Sequence, residues 1–182
     1  LCLINGGVVV MAAPETFFLK DTNGDDKADE RTVLFAGWGK GDTHAGPSSI
    51  RYGFDGWVWG TVGYSGFNGV VGGEPLRFGQ GAFRFKADGS KLEFLGPTSN
   101  NTWGMGINEN GDVFGSTANN QSSWYLPIPW TLAKGVEGFE IGDRLPGIAA
   151  NFVSTSSPSR SRKRCLALTS ESDVHCTPPA TS

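Results

Sequence analysis

An all-β fold of repeated four-stranded sheets is predicted by three observations in the 182-residue sequence. Apolar and polar residues alternate with period two through many short runs, and no stretch sustains the 3.6-residue apolar period of a helix. The runs are punctuated by 27 glycines and 10 prolines, as a chain of short strands and turns requires. A hairpin also repeats. Ile50-Arg51-Tyr52-Gly53-Phe54-Asp55-Gly56-Trp57-Val58-Trp59-Gly60 returns as Met105-Gly106-Ile107-Asn108-Glu109-Asn110-Gly111-Asp112-Val113-Phe114-Gly115. The flanking pairs, 16–20 with 31–36 and 81–86 with 91–96, repeat alongside it. Four antiparallel strands in about 40–50 residues is the period of a β-propeller blade.

In order, residues 7–12 read as a strand and 16–20 as its partner across Ala13-Pro14-Glu15. An acidic loop leads to a third strand, 31–36. Residues 48–53 and 57–63 form a hairpin about Phe54-Asp55-Gly56. Asp-Gly between alternating runs is a strong hairpin signal, read as a turn with φ > 0 at both central residues. The stretch 64–80 is too rich in glycine for a regular strand. Alternation resumes at 81–86, turns at Ala87-Asp88-Gly89-Ser90 and returns through 91–96, and 103–117 makes the repeated hairpin. With strands lettered A to D from the central channel outward, the segments are B–C–D of one blade (7–36), a full blade (48–96) and A–B of a third (103–117). This is a partial β-propeller of two to three blades within residues 1–150, followed by a loop to 147. Rings close with about 4–8 blades, so the expectation is a fragment of a larger propeller. Residues 151–182, with a basic run at 160–164, lose the alternation and are expected to be disordered or a non-native tail.

A net charge of −3 argues against nucleic acid as partner, and no apolar run approaches the roughly 18 residues of a membrane span. Cys2, Cys165 and Cys176 fit neither a zinc nor a haem spacing and leave the compartment undecided.

Two places carry chemistry. Asp21, Asn23, Asp25 and Asp29 fall at positions 1, 3, 5 and 9 of a loop, with the Lys27 carbonyl at position 7, a register that converges oxygens on structural calcium. Asp26 stands where such loops usually place glycine, and Thr32 where they place a bidentate glutamate. The competing reading is a solvated turn whose Asn and Asp cap their own backbone. The second place is the loop Asp42-Thr43-His44-Ala45-Gly46-Pro47. Histidine titrates near neutrality and serves as a general base, with Asp42 to orient it; the alternative is a loop histidine bonded to a carbonyl. Strand order puts the A–B and C–D turns, and so the acidic loop, on one face. The D–A and B–C connections lie on the other. His44 thus shares its face with Asp42, Tyr64, Asn100, Asn101, Trp103, Asn119, Asn120, Trp124 and Tyr125. Trp57 and Trp59 share a strand face as core or inter-blade contacts, whereas Trp103 and Trp124, at strand ends, are expected to line a pocket.

His44-Ala45-Gly46 followed by residues 50–60 resembles the His-x-Gly-Gly, Phe-Gly-Pro-Asp-Gly and Leu-Tyr signature of soluble glucose/sorbosone dehydrogenases. Those are six-bladed propellers that bind pyrroloquinoline quinone (PQQ). Residues 7–147 look more closely like the large membrane-bound dehydrogenase propellers of planctomycete-type bacteria, through DTNGDDKADERTVLFAG, DTHAGPSSIRYG, GSTANNQSSWYLPIP and DRLPGI. The tail after about residue 151 does not match. The resemblance implies an exported or periplasmic dehydrogenase that oxidises a sugar or polyol with hydride transfer to PQQ. Its electron acceptor would be a cytochrome c domain, the haem c being carried elsewhere. It puts His44 as the base; the residues that strand order places on the same face, Tyr64, Asn100, Asn101, Trp103, Asn119, Asn120 and Trp124, are then expected to face cofactor or ligand. The family's acid after strand B corresponds to Tyr64 here, which leaves Asp42 to hold the imidazole. The alternative is a non-catalytic propeller that binds glycan or protein through its Asn/Trp-rich loop face.

Overall fold

A computed structural model describes residues 1–99, 101–118 and 123–126. The tail 151–182 and the loop 127–147 lie outside the described residues. Among those described, the protein is all-β, built of antiparallel sheets without an α-helix.

The first sheet runs in sequence order through β1 (Cys2–Ile4), β2 (Gly7–Ala12), β3 (Glu15–Lys20) and β4 (Glu30–Ala36). It is a complete four-stranded blade, where the sequence reading placed only three strands. The innermost strand was missed because it is three residues long. Its connection is nevertheless a plain signal: Asn5 and Gly6 have φ of 53° and 71°, the two-residue turn that matches strand twist.

The second sheet contains β5 (Pro47–Tyr52) and β6 (Val58–Val62). The chain then leaves it for a separate hairpin, β7 (Phe67–Val71) and β8 (Glu74–Phe78), and returns as β9 (Gly81–Phe85) and β10 (Leu92–Pro97). The sheet order is β10-β9-β6-β5. The hairpin corrects the reading of 64–80 as too glycine-rich for strands. Two of those glycines, Gly72 and Gly73 (φ 59° and 85°), make its turn, and Gly66 (φ 58°) packs against the Phe78 carbonyl where a Cβ would clash.

The Asp55-Gly56 turn also differs from expectation. Only Gly56 is left-handed (φ 75°); its N–H donates to the Gly53 carbonyl at 3.1 Å, and Gly53 N–H donates to the Trp57 carbonyl at 2.8 Å. This is the three-residue turn with a glycine bulge. Its repeat has the same bonds, Gly111 N–H to Asn108 carbonyl and Asn108 N–H to Asp112 carbonyl, with Gly111 at φ 84°.

The third sheet, β11 (Thr102–Ile107), β12 (Val113–Thr117) and β13 (Trp124–Leu126), extends the expected hairpin by one strand.

The second sheet is sandwiched between the other two. Every residue of β6 is buried, with Val58 and Val62 joining a core shared with Val9, Phe35 and Trp38, and Trp59 joining a core with Met105, Val113 and Trp124. The inner strand β5 lies beside β1 on one side and β11 on the other. Sheets stacked face to face with their first strands side by side are propeller blades, and among the described residues they do not close into a ring.

Candidate functional site

The connection from β4 to β5 carries a single 3₁₀ turn, Thr43–Ala45. Asp42 caps it: its carboxylate accepts the His44 backbone N–H at 2.9 Å. A short acidic side chain before a tight turn does this readily because the first amides have no partner inside the turn. The same carboxylate oxygen lies 3.6 Å from His44 Nδ1. That is too long for a hydrogen bond, so the hydrogen bond of this carboxylate oxygen goes to the backbone and not to the ring. The imidazole is 85% exposed.

The loop is tied to the next connection. Ser65 N–H donates to the Ala45 carbonyl at 3.2 Å, and Ser65 Oγ donates to the Asp42 carbonyl at 2.6 Å. Ala45 is buried, and a Cβ at Gly63 would overlap both its carbonyl and Asn101 Oδ1. The chain therefore needs glycine at 63 for loops 42–46 and 63–66 to meet beside Asn101. Asp42, His44, Tyr64 and Asn101 are thus gathered on one rim, as the strand order predicts. Tyr64 is exposed and Asn101 buried.

Of the remaining residues expected there, Trp124 and Tyr125 are taken into the third sheet. Trp103 is exposed on β11, and its carbonyl accepts the hydroxyls of Ser48 and Ser49. Trp124 is fully buried in β13, packed in the core between the second and third sheets, so it is a packing residue and does not line a pocket. The expectation failed because 124–126 was read as loop. Tyr125 likewise stacks on Phe114 and donates its hydroxyl to Asp112 Oδ1 at 3.3 Å, away from the His44 loop; burial and the Asp112 charge raise its pKa. Asn100, Asn119 and Asn120 lie outside the described residues. Trp57 and Trp59 do share a face, under the Arg84 guanidinium at 4.5 and 5.3 Å from their ring centres.

The acidic loop sits at the opposite end of β4, a seven-residue strand and hence about 20 Å away along its length. Its oxygens are turned to its own amides. Asp21 accepts from Asn23, Gly24 and Asp26, Asn23 Oδ1 from Asp25, and Asp25 from Lys27. Asp29 accepts both the amide and the hydroxyl of Thr22. Asp26, at the usual glycine position, is left-handed at φ 64°. Among the described residues no group of three or more acidic, histidine or cysteine side chains converges. The loop closes on its own backbone. The Gly24 amide, then those of Asp26 and Asn23, hold Asp21 below the usual carboxylate range against slight desolvation, and Thr22 does the same for Asp29.

One feature was not anticipated. An open cleft of about 580 Å³ adjoins the His44 loop, between Gly37 and Gly39 on one side and the base of the β7–β8 hairpin on the other. Tyr64, Ser65, Asn68, Arg77 and Phe78 line it. Gly72-Gly73 between two five-residue runs was the signal that would have found it.

Stacked antiparallel sheets with a loop-bearing rim define an open, propeller-type β protein. Within that class the chain belongs to the family described as domain of unknown function DUF7133, whose model matches residues 1–144. No curated protein and no solved structure matches it.

Proposed function

We propose that the His44 rim is the base-bearing edge of an exported propeller dehydrogenase that oxidises a sugar or polyol. One observation carries this reading: an exposed imidazole held 3.6 Å from the Asp42 carboxylate, on a turn that the same carboxylate caps. In the reaction, His44 takes the proton of the substrate hydroxyl as the adjacent C–H bond gives up a hydride, and Asp42 stabilises the imidazolium that forms. Ser65 ties down the backbone of the turn that carries the imidazole. PQQ, when bound, supplies the hydride acceptor, and a cytochrome c domain is the onward acceptor. No step is assigned to a quinone site in this chain.

The test is dye-linked turnover of PQQ-loaded protein with a panel of sugars and polyols. His44→Ala lowers turnover by about 100-fold or more, the usual worth of a general base, and Asp42→Asn lowers it less. Unchanged turnover in His44→Ala ends the reading.

The Tyr64 phenol, where the related dehydrogenases place an acid, favours a second reading: glycan or protein binding by the same rim without redox chemistry. It predicts binding that survives His44→Ala and no dye reduction with any substrate.

A further inference from the structure

We propose that the cleft between residues 37–39 and the base of the β7–β8 hairpin is a binding site for a small carboxylate-bearing sugar, a uronate or aldonate. The proposal stands independently of His44 chemistry.

The walls are preformed. Gly39 N–H donates to the Gly66 carbonyl at 3.1 Å and Asn68 N–H to the Gly37 carbonyl at 2.8 Å, while Trp38 bridges to Phe67. Glycine is required for this approach: a Cβ at Gly37 would meet the Phe67 ring and the Asn68 carbonyl, and one at Gly39 would overlap the Ser65 carbonyl. On the opposite face of the hairpin Phe67 and Phe78 stack at 5.3 Å and pack on the buried Trp38, which fixes the base of the hairpin against residues 37–39. A rigid opening of this size is in the range that small-molecule sites occupy.

The lining sets the ligand class. Arg77 is its single charged residue, exposed, and forms no ion pair among the described residues. It stands directly across the hairpin from Asn68, so guanidinium and amide share one face. A guanidinium fork matches a carboxylate with two parallel hydrogen bonds. The Asn68 amide both donates and accepts, as sugar hydroxyls do, and Tyr64 offers ring surface to C–H groups. A neutral sugar lacks the partner for Arg77, and a simple carboxylate leaves the Asn68 amide and the Tyr64 ring unused.

The experiment is calorimetric or NMR titration of the whole 182-residue chain with D-glucuronate, D-glucose and acetate. Glucuronate binds at least 10-fold more tightly than glucose or acetate. Arg77→Gln removes that preference and Arg77→Lys retains part of it. Gly79 lies on the cleft wall where a Cβ meets nothing within 4 Å, so Gly79→Val narrows the cleft without straining the fold and weakens glucuronate. His44→Ala leaves glucuronate binding unchanged, which separates this site from the rim chemistry. Equal affinity for glucuronate and glucose, or glucuronate binding untouched by both Arg77→Gln and Gly79→Val in chains with unaltered circular dichroism, overturns the proposal.

Discussion

Asp55 shows how one side chain sets local structure and blade packing together. Its Oδ1 accepts Trp57 N–H at 3.2 Å and the Trp59 indole N–H at 2.9 Å, and Oδ2 pairs with Arg84 at 2.9 Å. Arg84 in turn holds Glu93, and its guanidinium covers Trp57 and Trp59. Asp55→Ala therefore loses the turn cap and leaves a part-buried indole and guanidinium short of a partner. The expected destabilisation in urea unfolding is about 2 kcal/mol, since each bond to a charged acceptor is worth roughly 1.5–3 kcal/mol before solvent screening at this half-exposed site. Asp55→Asn recovers part of it. The acids also fix the pH response. Burial opposes ionisation of Glu93, but hydrogen bonds and charge from Lys91 and Arg84 outweigh it, and its pKa falls below the usual value, as do those of Asp21, Asp29 and Asp88. A carboxyl with a folded pKa below its unfolded one stabilises the fold above the unfolded value and loses that contribution as pH falls through the folded one. The midpoint of thermal unfolding is thus flat near neutrality and drops below about pH 4. A midpoint constant from pH 6 to pH 3 contradicts this. The Asp42–His44 pair was legible because a histidine in a Gly/Pro-bounded loop stands out in sequence. That Asp42 bonds to the backbone and not to the ring was not legible, because cap geometry depends on φ and ψ.

Among the elements, the β7–β8 hairpin and the connection it packs on decide how the first two blades join. Trp38 sits at their meeting point, with the rings of Phe35, Phe67, Phe78 and Phe83 around it, and donates its indole N–H to Thr16 Oγ1 of β3 at 2.8 Å. Both side chains are buried. Thr16→Val preserves volume and removes the acceptor, leaving a buried indole N–H unsatisfied, a cost of about 1–3 kcal/mol. Thr16→Ser keeps the acceptor and costs less. Chemical denaturation of the two variants separates the hydrogen bond from packing, and equal stability of Thr16→Val and wild type would remove the bond from the account. Strands with five or six residues of mostly apolar or alternating sequence, such as β2, β3 and β9, were readable from the sequence. The short ones, β1 and β13, were not, because three residues carry no periodicity; β7 and β8 were masked by glycines that serve their turn and their close packing. In each missed hairpin the turn dipeptide, Asn5-Gly6 or Gly72-Gly73, was more informative than the strands it joined.

At the scale of the whole molecule the first and third sheets, the outer two among the described residues, are unequal. Register places Leu3, Val8 and Leu19 in one cross-strand row of the first sheet and Val10, Phe17 and Val33 in the next. None of these six belongs to the core shared with the second sheet. Leu3 is 75% exposed and Val33 44%. At the other end the third sheet presents Trp103 and Phe114 to solvent. Inside the molecule the same kind of apolar face is covered twice, once on each side of the second sheet. An apolar sheet face of this extent in water drives association, and because the two ends differ the contact is head to tail. The 19.3 kDa chain is therefore expected to elute from size exclusion with a light-scattering mass that rises with concentration in the micromolar range. Leu3→Lys and Val33→Lys, each placing a charge on the open face without touching the shared core, shift it toward the monomer. Arg31→Lys, at the edge of the same face, leaves the mass profile unchanged. A mass fixed at one chain across the whole range, or association indifferent to both lysine substitutions, would mean that the exposed rows are not what the molecules use to meet.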